Sequence, residues 1–530
     1  MKKQTKVMAT LSTAALLALG FSAVSMAAGW DNSTGAWRYL NNDGTEVTDE
    51  WKSANGNWFY LDSDGVMATD KLIEDTSSSN GKTKYYYVDQ YGAMVKNTWK
   101  AVAMDDDATD LDAEYWWYYF GNDGKAYTTD STELTKNKLK TINGLKYAFN
   151  EEGHMLYGWV DKTNYQVQDD TTEDSWTRAT YYFNGWNDGH AQTGWAQIAV
   201  EDNDDTENYW FYFGSDGVKT TKRKKINGVY YVFAADGHMI DEWAYYDADK
   251  ATWSDMDENF KNANASVSYL NGDGSTRKNQ WVYAIPDEDM NKDDNNDDEY
   301  RWFYADKSGK LVVEQVKKIN GKKYAFDELG RMKTGFVKVS SDVKNYVDTV
   351  ADWDKYSRDA WIDTTFSDTI AYFSNDEAKD GAMKFGYQTI ELDDGTYQFY
   401  FDKKTGKAET KYNKDIKKYL INGMILKPSS DDDNNYAAVE VDAKGNPVAM
   451  YTNYNVIADL LDATTPAKLY LVNASGTKVT SKTVKDENDQ YWRTNKEGQI
   501  VKHAPDKETY DDMRSTKKSD GTPKKDTWNN

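Results

Sequence analysis

A short unit, made of an aromatic strand, a Gly-containing turn and a small apolar tail, recurs along most of this 530-residue chain. Self-similarity of that kind constrains the fold more than any local propensity. Trp58-Phe59-Tyr60-Leu61 leads to Asp64-Gly65-Val66-Met67, Tyr85-Tyr86-Tyr87-Val88 to Gly92-Ala93-Met94, and Trp117-Tyr118-Tyr119-Phe120 to Asp123-Gly124. Each reads as a strand of period two followed by a turn that Gly permits. A longer period lies over the short one: Ile-Asn-Gly recurs at Ile142, Ile226, Ile319 and Ile421, at intervals of 84, 93 and 102 residues. Asn-Gly between two strands predicts a two-residue hairpin turn. One hairpin cannot bury enough surface to stand alone, whereas stacked neighbours share a continuous aromatic core. The expected fold is therefore all-β: a solenoid of stacked β-hairpin repeats over 28–410, a degenerate β region over 411–503, and a disordered tail over 504–530, where little is apolar.

Composition narrows the function. With 64 Lys plus Arg against 88 Asp plus Glu the net charge is −24, so no nucleic-acid partner is expected. A mean hydropathy of −0.88 would fit disorder, but 20 Trp, 40 Tyr and 17 Phe demand something folded to use them. Lys2, Lys3 and Lys6 precede an apolar run from Leu11 to Val24, and Ser25-Met26-Ala27 supplies small residues, so 1–27 is expected to be a signal peptide cleaved after Ala27. That run is short of the ~20 residues a bilayer span needs, and no membrane insertion is expected after cleavage. Absence of Cys removes disulfides, thiol nucleophiles and Cys-based zinc sites. His154, His190 and His238 each follow Gly in a turn, which fits a repeat position better than metal ligation. The acidic runs Asp105 to Glu114, Glu201 to Glu207 and Asp287 to Glu299 read as solvated insertions rather than calcium loops. No nucleophile elbow, zinc-protease helix or phosphate loop is present, so no catalytic residue, cofactor or metal is expected and the chain is read as a non-enzyme.

These repeats resemble the choline-binding, or cell-wall-binding, repeats of Gram-positive surface proteins, whose unit is Gly-Trp, a short strand, Trp-Tyr-Tyr-Leu and Gly-x-Met. The resemblance covers 29–410 and is carried best by Gly29-Trp30, Trp51 with Trp58 to Met67, Gly158-Trp159 after Met155, and Gly194-Trp195 before Trp210 to Phe213. It implies a left-handed solenoid in which Trp and Tyr of adjacent hairpins, with a Met alongside, box the quaternary ammonium of choline on teichoic acid. Carried over, the Gly-Trp position falls on Trp30, Trp51, Trp159, Trp195, Trp243 and Trp281. The strand aromatics fall on Trp58, Tyr60, Trp210, Tyr212, Trp302 and Tyr304, and the Met on Met67, Met94, Met155 and Met239. Trp51, Trp243 and Trp281 lack the preceding Gly, and Phe336 replaces Trp after Gly335. Ring faces attract a poorly hydrated cation, and a net negative protein assists. The same rings stack on sugars, which keeps glucan open as the wall polymer, and the acidic runs keep a protein partner open. For any single ring the plain alternative is stacking on the next hairpin with no ligand. The expected location is the outside of a bacterial cell, held to the wall without a covalent bond.

Overall fold

The computed structural model describes residues 28–76, 81–104, 113–129, 133–162, 175–202, 205–262, 265–375, 380–429, 432 and 435–529. The expected signal peptide and the acidic stretch 105–112 lie outside the described residues. Two compact units emerge. One ends at Asp241 and takes in Lys250–Asp255 and Gly272–Ser275; the other is Glu242–Asp249, Met256–Asn271 and the chain from Thr276.

Antiparallel hairpins follow one another through the first unit. They pair Gly29–Asp31 with Arg38–Leu40, Glu50–Ala54 with Asn57–Leu61, Lys71–Asp75 with Lys84–Val88, and Thr98–Ala103 with Tyr115–Phe120. Then come Lys140–Ile142 with Leu145–Tyr147, Gly158–Val160 with Tyr181–Phe183, Gly194–Asp202 with Asp205–Phe213, and Lys224–Ile226 with Val229–Tyr231. At the Ile-Asn-Gly turns both central residues have positive φ, Asn143 at 50° and Gly144 at 86°, Asn227 at 48° and Gly228 at 90°. That is the turn whose twist matches a right-twisted hairpin, and it explains why Asn-Gly recurs there. At the other turns the Asp that precedes Gly is a cap: Asp62 accepts from the amides of Asp64 and Val66, and Asp89 from those of Tyr91 and Ala93. Part of the acidic composition is thus turn chemistry.

What joins successive hairpins is one residue after the turn. Met67, Met94, Met155 and Met239 bridge back to Leu61, Val88, Phe149 and Phe233 of their own hairpins. Their amides donate to the previous hairpin, at Trp37, Trp58, Trp117 and Trp210 carbonyls, over 2.7–2.8 Å. Their side chains press forward on the Gly turn of the next hairpin. A Cβ on Gly189, at φ +58°, would lie 2.3 Å from Met155 Cε, so that position combines left-handed backbone with a close approach that only Gly supplies. Met67 with Gly92, Met94 with Gly124 and Met239 with Gly274 repeat the contact.

The second unit starts the same way, with Trp243–Asp247 on Ala265–Tyr269, Gln280–Ala284 on Arg301–Ala305, and Gln315–Ile319 on Lys322–Phe326. Gly335–Val339 through Met424–Ile425 then form a nine-stranded sheet. Lys411–Asn413 and Lys418–Ile421 belong to that sheet, so the change of character placed at 410 falls inside one hydrogen-bonded element. Beyond it lie two three-stranded sheets, Tyr436–Val441 with Pro447–Tyr451 and Leu469–Asn473, and Thr483–Lys485 with Tyr491–Thr494 and Ile500–Ala504. Among the described residues helices are few and short, the longest being Tyr454–Asp462. An all-β chain of small hairpins is what the periodicity predicts.

Two expectations need correction. The tail over 504–530 is ordered: helix Lys507–Arg514, capped by the Asp506 carboxylate, lays Tyr510 flat on Tyr491 at 4.1 Å, and Trp528 is fully buried against Tyr510 with its indole N–H donating to Thr483. Three well-placed apolar side chains outweigh a polar average there. The acidic run 287–299 is not simply solvated either. Its helix Lys292–Asn296 buries Asp294, whose carboxylate accepts from Arg301 at 2.8 Å and Arg331 at 3.0 Å, while Arg331 also donates to the buried Asp327. The run 201–207 extends a hairpin ladder, with Glu201 opposite Thr206 and Asp202 opposite Asp205.

Candidate functional site

Every ring cage begins with a cross-strand pair, Trp99 opposite Tyr119, Trp195 opposite Tyr212, and Trp281 opposite Tyr304. Directly opposed residues share a face, so the two rings meet. The following hairpin adds two rings spaced two residues apart: Tyr147 and Phe149, Tyr231 and Phe233, Tyr324 and Phe326. From Trp99 the centroid distances to its Tyr, the next Tyr and the Phe are 5.1, 4.9 and 5.8 Å. From Trp195 they are 5.2, 4.9 and 5.7 Å, and from Trp281 they are 5.3, 4.8 and 5.9 Å. A further indole stands at the rim of each, Trp117, Trp210 and Trp302, at 6.5, 6.3 and 6.1 Å and nearly perpendicular. The Phe is fully or almost fully buried as a floor, whereas the Trp that opens each cage is half-buried and Trp210 is 43% exposed. Six residues after each Phe comes the Met, Met155, Met239 or Met332.

Rings that meet at a steep angle form the walls of a corner, where one cation can lie against two faces at once. Burial raises the phenol pKa of Tyr119, Tyr147 and Tyr324 above its ordinary value, so these rings stay neutral. They attract a cation by their quadrupole, and at the Trp195 cage the Lys224 ammonium lies 5.4 Å from the Tyr212 ring.

The remaining sites named from sequence fall into two groups. Trp30 meets Tyr39 at 5.5 Å and Phe59 at 5.4 Å, and Trp51 meets Tyr60 at 5.2 Å and Tyr86 at 5.1 Å. Trp58, 43% exposed, occupies the place in its strand that Trp210 holds in its own. By register Met67 follows Leu61 and so serves the Trp30 cage, while Met94 serves that of Trp51. The other group is filled. Trp159 is buried against Tyr182, Phe211 and Phe213, with the Lys219 ammonium 5.3 Å from its ring. Trp243 is buried on Tyr269 and Phe303, with its indole N–H donating to the Ile285 carbonyl. Phe336, where Trp was replaced, is covered at 4.4 Å by the fully buried Trp361.

Sequence reasoning missed Trp99, Tyr147, Tyr231 and Tyr324 as cage walls. Trp99 follows Thr98 rather than Gly, and the others lie on the neighbouring hairpin, whose register the repeat motif does not state. Counting back six residues from Met155, Met239 and Met332 to the Phe, and two more to the Tyr, would have found the three tyrosines. The histidines sit at turns as expected but in different surroundings: His154 stacks on Trp116 at 4.1 Å and meets the Tyr118 hydroxyl at 2.8 Å, whereas His238 lies between Asp236 and Asp255, both at 2.7 Å. Among the described residues no three His, Asp or Glu side chains converge as a metal site requires.

The sequence profile of the choline-binding repeat matches residues 27–71 and 47–99. Residues 27–99 therefore belong to the choline-binding repeat family, the family the motifs resemble. Among curated proteins the chain is similar to Glucosyltransferase-S of Streptococcus mutans, 26% identical over 49% of this chain and 14% of that protein. It is similar also to Glucosyltransferase-I of Streptococcus downei, 26% identical over 72% of this chain and 21% of that protein. The chain thus spans about a fifth or less of these relatives' length. Similar solved structures include the modular autolysin LytC from Streptococcus pneumoniae, 21% identical over 59% of this chain and 54% of that one, with a TM-score of 0.30. Choline binding protein F from the same species is 16% identical over 73% and 99%, with a TM-score of 0.26.

Proposed function

We propose that this chain is a secreted wall-binding protein whose hairpins stack as a solenoid and whose ring cages hold quaternary ammonium groups, those of choline on teichoic acid. The observation that carries the reading is the threefold recurrence of one cage, at Trp99, Trp195 and Trp281, with matching distances within 0.2 Å. A purely structural stack has no need to repeat its half-open wall so closely. Several weak sites on one chain add to strong attachment by effective concentration. Catalysis has no part in this reading.

A second reading rests on a surface that shares Trp302 with the rim of the Trp281 cage. Tyr283, 53% exposed, lies at 4.6 Å and 31° on Trp302 and at 5.1 Å and 30° on Tyr300, forming a platform of near-parallel rings on which a sugar could stack. The likeness to glucosyltransferases fits a glucan there. Competition separates the two. Millimolar free choline should release the protein from purified choline-bearing walls while soluble glucan does not. The triple variant Trp99→Ala, Trp195→Ala, Trp281→Ala should lose far more binding than any single change. Release by glucan alone would transfer the function to the platform.

A further inference from the structure

Two lysines stand at a place that the repeat fills with methionine at Met67, Met94, Met155 and Met239 and with other side chains at Glu46, Ala126, Thr276 and Leu311. Lys219 bridges back to Phe213 and Lys478 to Val472, six residues after the inner strand, the offset that also separates Phe149 from Met155 and Phe233 from Met239. Both press their stems on the next Gly turn as the methionines do: a Cβ on Gly237 would lie 2.7 Å from Lys219 Cδ, and one on Gly498 would lie 2.4 Å from Lys478 Cγ. Their ammonium groups then arrive where the rings are. Around Lys478 the cage is complete. Tyr412 opposes Tyr419 across a strand pair, as Trp195 opposes Tyr212, and Tyr470 comes from the later strand Leu469–Asn473, two residues before Val472. Lys478 Nζ lies 4.3, 5.5 and 5.0 Å from the centroids of Tyr412, Tyr419 and Tyr470. Among the described residues no carboxylate forms an ion pair with it, and Glu497 acts on it only through space. A surface lysine normally extends its head to water, and this one holds it among three rings.

We propose that Tyr412, Tyr419 and Tyr470 form a cation cage whose resting occupant is the chain's own Lys478, so that the residue six places after the inner strand decides whether a cage is open to an outside alkylammonium or closed. Methionine at that place leaves the Trp99 and Trp281 cages open, and the Trp195 cage too except that Lys224 of the next hairpin reaches the Tyr212 ring at 5.4 Å; lysine closes those of Tyr412 and Trp159. Lys219 gives independent support, since its ammonium lies 5.3 Å from Trp159 and 6.0 Å from Phe211 and donates to the Trp176 carbonyl at 2.5 Å. Burial lowers both ammonium groups below the usual lysine range, Lys219 to about 7, as an ammonium held off water should be. The rings around Lys478 thus repeat the cross-strand pair of the cages upstream, with Tyr470 set against Tyr419 and a tethered ligand. The inference rests on the proposed cation-binding reading for what the open cages take.

The test counts sites by equilibrium dialysis of the full chain against labelled tetramethylammonium. Lys478→Met should raise the number of bound equivalents by one, and adding Tyr470→Leu should return it to the starting value. A folded Lys478→Met protein with no gain overturns the proposal. Should that variant not fold, amine labelling of the unaltered chain decides: Lys478 should react more slowly than surface lysines and be exposed by saturating tetramethylammonium, and labelling that the ligand leaves unchanged overturns it. The count on the unaltered chain reads the open cages, and the difference between proteins reads the closed one, so one idea can fail without the other.

Discussion

His154 and His238 occupy the same place after a Gly turn, yet their neighbours drive them in opposite directions. Burial beside Trp116 holds His154 down at about 4. Burial also opposes charge on His238, but Asp236 and Asp255 outweigh it and raise the imidazole to about 10. The unfolded chain protonates His154 first, so its burial should make stability fall as pH drops from about 6.5 to about 4. The paired His238 contributes stability that is fully present below about 6.5 and is lost as pH rises through about 10. Replacing His154 by Phe should flatten the acid side of a denaturant-midpoint profile, and His238→Gln the alkaline side, each by up to about 3 kcal/mol over its window. The motif places both residues in turns, but Trp116, which covers His154, and Asp255, which joins Asp236 at His238, come from other hairpins, and no spacing in the sequence names them. Gly189 makes the same point for packing. Gly189→Ala meets both a left-handed backbone and Met155, and should destabilise the chain by about 1–2 kcal/mol from backbone strain alone, measured by urea unfolding. Met155→Ala in that background should relieve the steric part only.

At the scale of the hairpin, the period-two aromatic pattern and Asn-Gly turns were readable because the backbone itself requires them: Asn227 at φ 48° and Gly228 at φ 90° admit few other pairs. What periodicity could not show is how far acidic residues extend a ladder. Glu201 and Asp202 are unpromising strand formers, but the nine-residue partner strand with Trp210, Phe211 and Tyr212 holds them in register. The buried charge network was equally hidden, since Asp294, Asp327 and Arg331 look like surface residues in a chain this charged. Asp327 accepts from the Arg331 guanidinium at 2.8 Å and from the amides of Leu329 and Arg331. Asp327→Ala leaves those donors buried without it and should cost about 3 kcal/mol, read as a lower thermal midpoint, while Asp342→Ala on an exposed turn should change little.

For the molecule as a whole, the array was legible where aromatic residues mark every repeat and faded where they thin out. Past Gly406 the strands continue with Leu, Val and Ala inside, and Tyr412, Tyr419 and Tyr470 are too widely spaced in sequence to show that they meet. The tail was misjudged because composition averages over the few residues that anchor it. A chain shortened to end after Met239 should keep its hairpin circular-dichroism signature and resist protease over its earlier repeats, because most contacts are between neighbours. Its last repeat should fray, having lost the Gly274 turn that covers Met239 and the Ser275 bridge to Tyr231; cooperative loss of all structure would contradict local stacking. The joint between repeats carries a consequence for how such a chain changes over generations. Successive hairpins present a glycine socket on one side and a side-chain peg on the other, methionine at Met67, Met94, Met155 and Met239 and alanine, threonine, leucine or lysine at other joints, so removing or duplicating a whole hairpin brings a peg and a socket together again at the new junction. Repeat number can therefore drift by recombination with no new interface to invent, and a lysine substituted for the peg silences one site while leaving the joint intact.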